Sequence, residues 1–162
     1  MRGAVHISPV TPIRAMQAET SSTILLVEDD PSDLELIQRA FLKAKLDNRI
    51  DVARDGQEAL DFIFCEGAHT HRVSEQLPRL ILLGLKLPKI DGIDVLRRIK
   101  GDVRTQAIPV VMVTSSTERK DVVDCYTLGV NSYIVKPVKF DELADAMQKL
   151  SSYWLQLNET LR

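Results

Sequence analysis

The chain has 162 residues, close to one domain at roughly 100–200 residues per domain. Its 44% hydrophobic content supplies one buried core and excludes wholesale disorder. Twenty-one Lys plus Arg against 23 Asp plus Glu leave a net charge of −2, without the basic excess of a nucleic-acid binder. No apolar run approaches the ~18 residues of a membrane span. Residues 1–22 lack the apolar stretch of about 7–15 residues found in a secretory signal. Cys65 and Cys125 stand far apart, with no C-x-x-C spacing, and are expected as reduced thiols. The expectation is a cytoplasmic protein with neither nucleic-acid nor membrane partners.

Residues 1–22 contain Pro9, Pro12 and Ser21-Ser22 without a sustained period and are expected as a flexible N-terminal arm. From Thr23 the pattern changes. Thr-Ile-Leu-Leu-Val is a continuous apolar run, the mark of a strand covered on both faces. Pro31 suits a first helical turn, and Leu34, Ile37, Phe41 and Leu42 are expected on one helical face. A strand over 49–53 precedes a helix over 56–65. The polar stretch 66–78 is a loop, and 79–83 is the most apolar strand. Ile93, Leu96 and Ile99 mark a third helix, and 109–114 is a fourth buried strand. Val122, Val123 and Tyr126 belong to a helix that Gly129 ends as a left-handed cap. A fifth strand covers 132–135, and Leu143, Met147, Leu150 and Trp154 form the face of a last helix. Five strands alternating with five helices imply a parallel sheet covered on both sides.

In such a sheet, ligands bind beyond the carboxyl ends of the strands. The first strand ends in Glu28-Asp29-Asp30, the third in Gly84, the fourth in Thr114-Ser115 and the fifth in Lys136-Pro137. Acidic groups, a hydroxyl and a lysine thus gather on one edge, a combination suited to a hard cation with oxygen ligands. Each has an ordinary structural explanation. An acidic pair after a strand commonly caps a helix, a terminal Thr caps or faces solvent, and Lys-Pro and Asp-Gly make turns. Their joint placement on four strand ends is what argues for a site. His69-x-His71 is expected as solvated loop.

The segments Ile24-Leu-Leu-Val-Glu28-Asp29-Asp30, Leu80-Ile-Leu-Leu-Gly84-Leu-Lys86-Leu-Pro88-Lys-Ile-Asp-Gly92, Pro109-Val-Val-Met-Val-Thr114-Ser115 and Tyr133-Ile-Val-Lys136-Pro137 resemble the receiver domain of two-component response regulators. The resemblance runs over about residues 23–150. It implies a flavodoxin-like, doubly wound α/β fold with strand order 2-1-3-4-5 and five helices, followed by a helical extension or tail over 151–162. The long loop and Tyr153-Trp154-Leu155 resemble stand-alone regulators associated with phytochromes. With only that tail after the core, the expected output is association rather than an attached effector domain.

The family's phosphoacceptor aspartate falls where this chain has Gly84. The resemblance implies that Glu28, Asp29 and the Lys86 backbone carbonyl hold Mg²⁺, that Lys136 pairs with the acyl phosphate, and that Thr114 donates to a phosphate oxygen. Tyr133 is implied as the aromatic that follows Thr114 in a two-state switch. The Lys136–Pro137 bond is implied to be cis. Glycine cannot accept a phosphoryl group, so the expectation is a phosphorelay regulator in a phosphorylation-incompetent form, with Mg²⁺ affinity weakened by the lost carboxylate. The alternatives are a natural pseudo-receiver acting through contacts alone and a Mg²⁺-dependent phosphatase-like enzyme, which would lack a nucleophile. The implied partners are a histidine kinase, on the subfamily resemblance a bacterial phytochrome, and a second copy of the chain. Tyr153, Leu155 and Leu157 cannot all face one core, so a homodimer through the fourth helix, fifth strand, fifth helix and tail is expected.

Overall fold

A computed structural model describes residues 23–46, 48–72 and 76–160; the N-terminal arm expected over 1–22 lies outside them. Five strands, β1 (Thr23–Val27), β2 (Arg49–Ala53), β3 (Leu80–Leu83), β4 (Val110–Thr114) and β5 (Ser132–Val135), form one sheet of order β2-β1-β3-β4-β5. Every neighbouring pair is parallel, with Leu26 beside both Val52 and Leu82, and Leu82 beside Val111. The helices are α1 (Pro31–Lys43), α2 (Gly56–Phe64), α3 (Gly92–Gly101), α4 (Arg119–Thr127) and α5 (Phe140–Ser151). This is the flavodoxin-like order that the family resemblance implies.

The alternation of side chains along a strand sorts the apolar residues into two layers. Leu25, Val27, Ile81, Leu83, Val110 and Met112 meet Leu60, Ile63, Leu96, Ile99 and Cys125 of α2, α3 and α4 on one face. Ile24, Leu26, Leu80, Leu82, Val111 and Val113 meet Ile37 and Phe41 of α1 and Leu143, Met147 and Leu150 of α5 on the other. The middle strands are therefore apolar at consecutive positions, since both faces are covered.

Helix starts follow local chemistry. Asp30 caps α1 by accepting from the Ser32 and Asp33 amides at 2.8 and 2.9 Å, with Pro31 in the first turn. Asp55 caps α2 by accepting from the Glu58 amide at 2.8 Å. Burial alone would raise the Asp55 carboxyl, but that amide and the nearby Lys89 ammonium bring it below the ordinary carboxylate range. Gly129, at φ +95°, follows α4 in the left-handed region, as expected.

Several details differ from the sequence expectation. The third and fourth strands begin at Leu80 and Val110, one residue later than expected, and α2 ends at Phe64 with Cys65 as its left-handed cap. Leu42 lies off the core face of α1 and is 77% exposed; at position 42 the helix has rotated past the stripe that Leu34, Ile37 and Phe41 define. Helix α4 turns Cys125 inward and leaves Val123 and Tyr126 about half exposed. The loop after α2 contains a 3₁₀ turn, Gly67–His69. Beyond Ser151 the chain widens into a π-helical turn, Ser152–Leu157. The wider turn changes which residues face inward: Leu155 is buried, Trp154 packs at the core's margin, and Tyr153 and Leu157 face out.

Candidate functional site

The sheet brings the four expected strand ends to one edge. Past β1 and β3, the Gly84 amide donates to the Val27 carbonyl at 2.9 Å, which sets Gly84 beside Glu28. Past β4 and β5, the Lys136 amide donates to the Thr114 carbonyl at 2.8 Å. The Lys136 side chain then reaches across the ends of β4 and β3 to β1. Its ammonium donates to Glu28 Oε2 and to Asp33 Oδ2, each at 2.8 Å. Burial pulls the Lys136 pKa down, and the two carboxylates more than offset this, so it lies above the ordinary lysine value.

The two members of the expected acidic pair differ in exposure. Glu28 is 4% exposed, with Oε1 accepting from the Asp30 amide at 3.1 Å and Oε2 bound to Lys136. Asp29, the next residue, is exposed, because successive positions leaving a strand point to opposite sides. Asp33 was not singled out from sequence. It follows the cap residue Asp30 by one helical turn, and a first-turn carboxylate reads as dipole complementation until Lys136 arrives from the far side of the sheet.

At position 84 the backbone does not require glycine, since its φ lies outside the left-handed region. A Cβ built there would lie 3.1 Å from the Val27 carbonyl oxygen, 3.2 Å from Leu87 Cδ2 and 3.8 Å from Glu28 Oε2. A side chain at 84 would thus enter the pocket beside the oxygen that Lys136 holds, with neighbours yielding a few tenths of an ångström. Gly92 is different. Its amide donates to the Leu85 carbonyl at 2.7 Å, and a Cβ there would fall 2.1 Å from the Gly84 oxygen. Only glycine lets the start of α3 close on the loop that follows β3.

Thr114 is buried at the end of β4, where its Oγ1 accepts from the Ser116 amide at 3.1 Å. The Tyr133 hydroxyl donates to the Ser116 carbonyl at 3.0 Å, and the Ser116 hydroxyl donates to Asp121 Oδ2 at 2.6 Å. Thr114 and Tyr133 therefore meet through the backbone of Ser116, a residue that no sequence pattern singles out. The Lys136–Pro137 bond is trans, contrary to the expected cis bond. An X–Pro step differs by only about 0.5–1 kcal/mol between isomers, so the dipeptide alone does not fix which one forms.

Among the described residues no three His, Cys, Asp or Glu side chains converge as a metal centre. Gly84 contributes no side-chain ligand and Glu28 is already bonded through both oxygens, while Lys86, whose backbone carbonyl is the other expected donor, lies in the loop after β3. Asp29 is the carboxylate of that set left open to solvent. In this arrangement Glu28 would have to release Lys136 from Oε2 before that oxygen could take up a metal ion. His69 and His71 lie on the 66–78 loop, their ring centroids 6.2 Å apart, with His69 edge-on to Phe62, away from the strand ends.

This fold and edge define a signalling receiver, and comparison with known proteins agrees. The Response regulator receiver domain family matches residues 24–148, and the chain belongs to that family. Over 146 residues, 90% of this chain and 91% of the relative, it is 42% identical to the probable methanogenesis regulatory protein FilR2 of Methanothrix harundinacea. It is 36% identical to the response regulator Rcp1 of Synechocystis, over 86% of this chain and 93% of that one. Among crystal structures, the phosphorylated cyanobacterial phytochrome response regulator RcpA superposes with a TM-score of 0.81 at 34% identity, covering 88% of this chain and 99% of RcpA. The bacteriophytochrome response regulator AtBRR gives 0.70 at 49% identity, covering 86% and 99%. A Mn²⁺-bound form of Rcp1 gives 0.79 at 35% identity, covering 87% and 99%. These relatives are signalling proteins rather than enzymes. No helix among the described residues is long and apolar enough to cross a membrane.

Proposed function

We propose that the protein is a receiver-domain phosphorelay regulator whose pocket keeps the phosphate-handling residues but cannot itself be phosphorylated. The observation that carries this is the position of Gly84: a Cβ there would lie 3.8 Å from Glu28 Oε2, beside the Lys136 ammonium. Phosphoryl transfer depends on placing an acceptor oxygen in line and on neutralising charge that develops on the phosphoryl group. Lys136 and Thr114 have the chemistry for neutralisation and hydrogen bonding, and Tyr133 for the switch coupled to Thr114. The acceptor oxygen is what glycine removes. Mg²⁺ would draw on Glu28, Asp29 and the Lys86 carbonyl, more weakly than in a chain with aspartate at 84.

The partners in this proposal are a histidine kinase, on the likeness to RcpA and AtBRR one of phytochrome type, and a second copy of the chain; its setting is the cytoplasm. Homodimerisation is supported by apolar side chains left exposed on the elements it would use: Val123 and Tyr126 on α4, Val135 on β5, and Tyr153 and Leu157 in the tail. Exposed aromatic and apolar groups gathered on one surface mark association sites.

A phosphorylated histidine kinase should transfer no acid-labile label to this chain. Label on the chain would overturn the assignment of position 84. Light scattering should report a dimer at high micromolar concentration that weakens when the chain is cut after Leu150. A monomer unchanged by that cut would refute the association surface.

A further inference from the structure

The acidic edge already contains a cation. Glu28 is almost fully buried, and a carboxylate removed from water needs a partner or it loses its charge. The Lys136 ammonium meets that need, and its side chain is only 17% exposed. It also binds Asp33 on α1 at the same 2.8 Å distance, so one ammonium joins the end of β5, the end of β1 and the first turn of α1. We propose that Lys136 is the resident cation of this pocket and holds the rim closed without Mg²⁺. The proposal rests on the receiver reading of the site.

The charge balance explains why Gly84 permits this. With a carboxylate at 84, Glu28, Asp33 and the new group would set three negative charges against one ammonium, an excess of two that a dication balances, whereas glycine leaves an excess of one. With glycine, one carboxylate is missing, and both Lys136 partners lie within hydrogen-bond distance. A tethered ammonium competes intramolecularly and gives up rotamer freedom but no translational freedom on pairing, whereas free Mg²⁺ must also shed part of its strongly held water shell. To use Glu28, the metal would also have to displace the ammonium from Oε2. The lost acceptor and the poor metal site are thus one electrostatic event. The consequence is a rim whose α1–β5 link does not depend on the metal, presenting partners with a single fixed arrangement.

Mg²⁺ titrations followed by calorimetry and thermal unfolding test this on the parent chain, Lys136→Met and Gly84→Asp. The parent should show no change in melting temperature through millimolar Mg²⁺. Lys136→Met should melt lower in chelator, recover on adding Mg²⁺, and bind the ion about tenfold more tightly than the parent, the scale of one partly screened charge interaction. Gly84→Asp should also gain affinity, because it returns a ligand. Gain in Gly84→Asp without gain in Lys136→Met would overturn the role of Lys136 and leave the site reading standing. Absence of gain in both would overturn both. Should Lys136→Met be unfolded in chelator, its refolding on Mg²⁺ addition, followed by circular dichroism, would support the proposal. Persistent unfolding of it at every Mg²⁺ concentration, with a folded Lys136→Gln that binds no tighter than the parent, would contradict it.

Discussion

The interior of the sheet and its carboxyl edge are built on opposite principles. Along β3 and β4 every residue is buried, and each apolar side chain is one of many in a layer. At the edge, three side chains, Glu28, Asp33 and Lys136, meet through two 2.8 Å bonds. Burial in the interior is shared and non-directional, whereas the edge depends on single atoms in fixed places. The difference explains how position 84, where the two regions meet, can lose its side chain without loss of the fold. The amide of Gly84 still joins the sheet at 2.9 Å, and on the proposed reading what glycine withholds is the acceptor oxygen.

The contrast is broken most strongly from the interior. Leu82, fully buried between Leu26 and Val111, should cost about 2–5 kcal/mol of unfolding free energy when changed to Ala. Urea denaturation measures this, and a loss below about 1 kcal/mol would mean that the centre is loosely packed.

A second effect is chemical but still internal. Burial, with Asp121, Asp124 and Asp91 nearby, raises the Cys125 thiol from 9.0 to about 11. A folded-state value above the unfolded one means that stability is fully retained below the unfolded value and lost as pH rises through the folded value. Between about pH 9 and 11 the protein should lose about 2–3 kcal/mol, at 1.36 kcal/mol per pK unit. Cys125→Ser should flatten that part of a stability–pH curve. An unchanged slope would assign the loss to other groups. In the native protein the half-buried Cys65 should react with a thiol reagent well before Cys125.

The smallest effect belongs to the edge's own scaffold. Asp30→Ala removes two accepted amide bonds at the start of α1 and should cost about 1 kcal/mol. Its particular interest is Asp33, which stands in the same helical turn and binds Lys136. Amide exchange should quicken at Ser32 and Asp33 while β3 stays protected. Equal quickening of β3 would tie the edge to the interior more tightly than the contrast allows.

Much of this was legible in the sequence, because the interior repeats its signal. Five apolar runs and the helical periods between them gave the order and class of the elements, and the residues at the strand ends gave the edge. What escaped depended on single tertiary contacts or small rotations. Leu42 carries the same residue type as its buried neighbours yet lies just past their stripe. Asp33 and Ser116 have no pattern of their own and gain meaning only when Lys136, Thr114 and Tyr133 reach them. Glu28 and Asp29 read as a pair in one dimension, and the fold gives them different exposure. The π-helical turn at 152–157 redirects Leu155 inward, which a regular helical period does not anticipate.

The central claim is that this pocket lacks only its acceptor carboxylate. Gly84→Asp, incubated with acetyl phosphate and Mg²⁺ and examined by intact-mass spectrometry, tests it directly. The account predicts one acid-labile phosphoryl group on the variant and none on the parent chain under identical conditions. A folded Gly84→Asp that stays unmodified, or a parent chain that takes up the phosphoryl group, would contradict it.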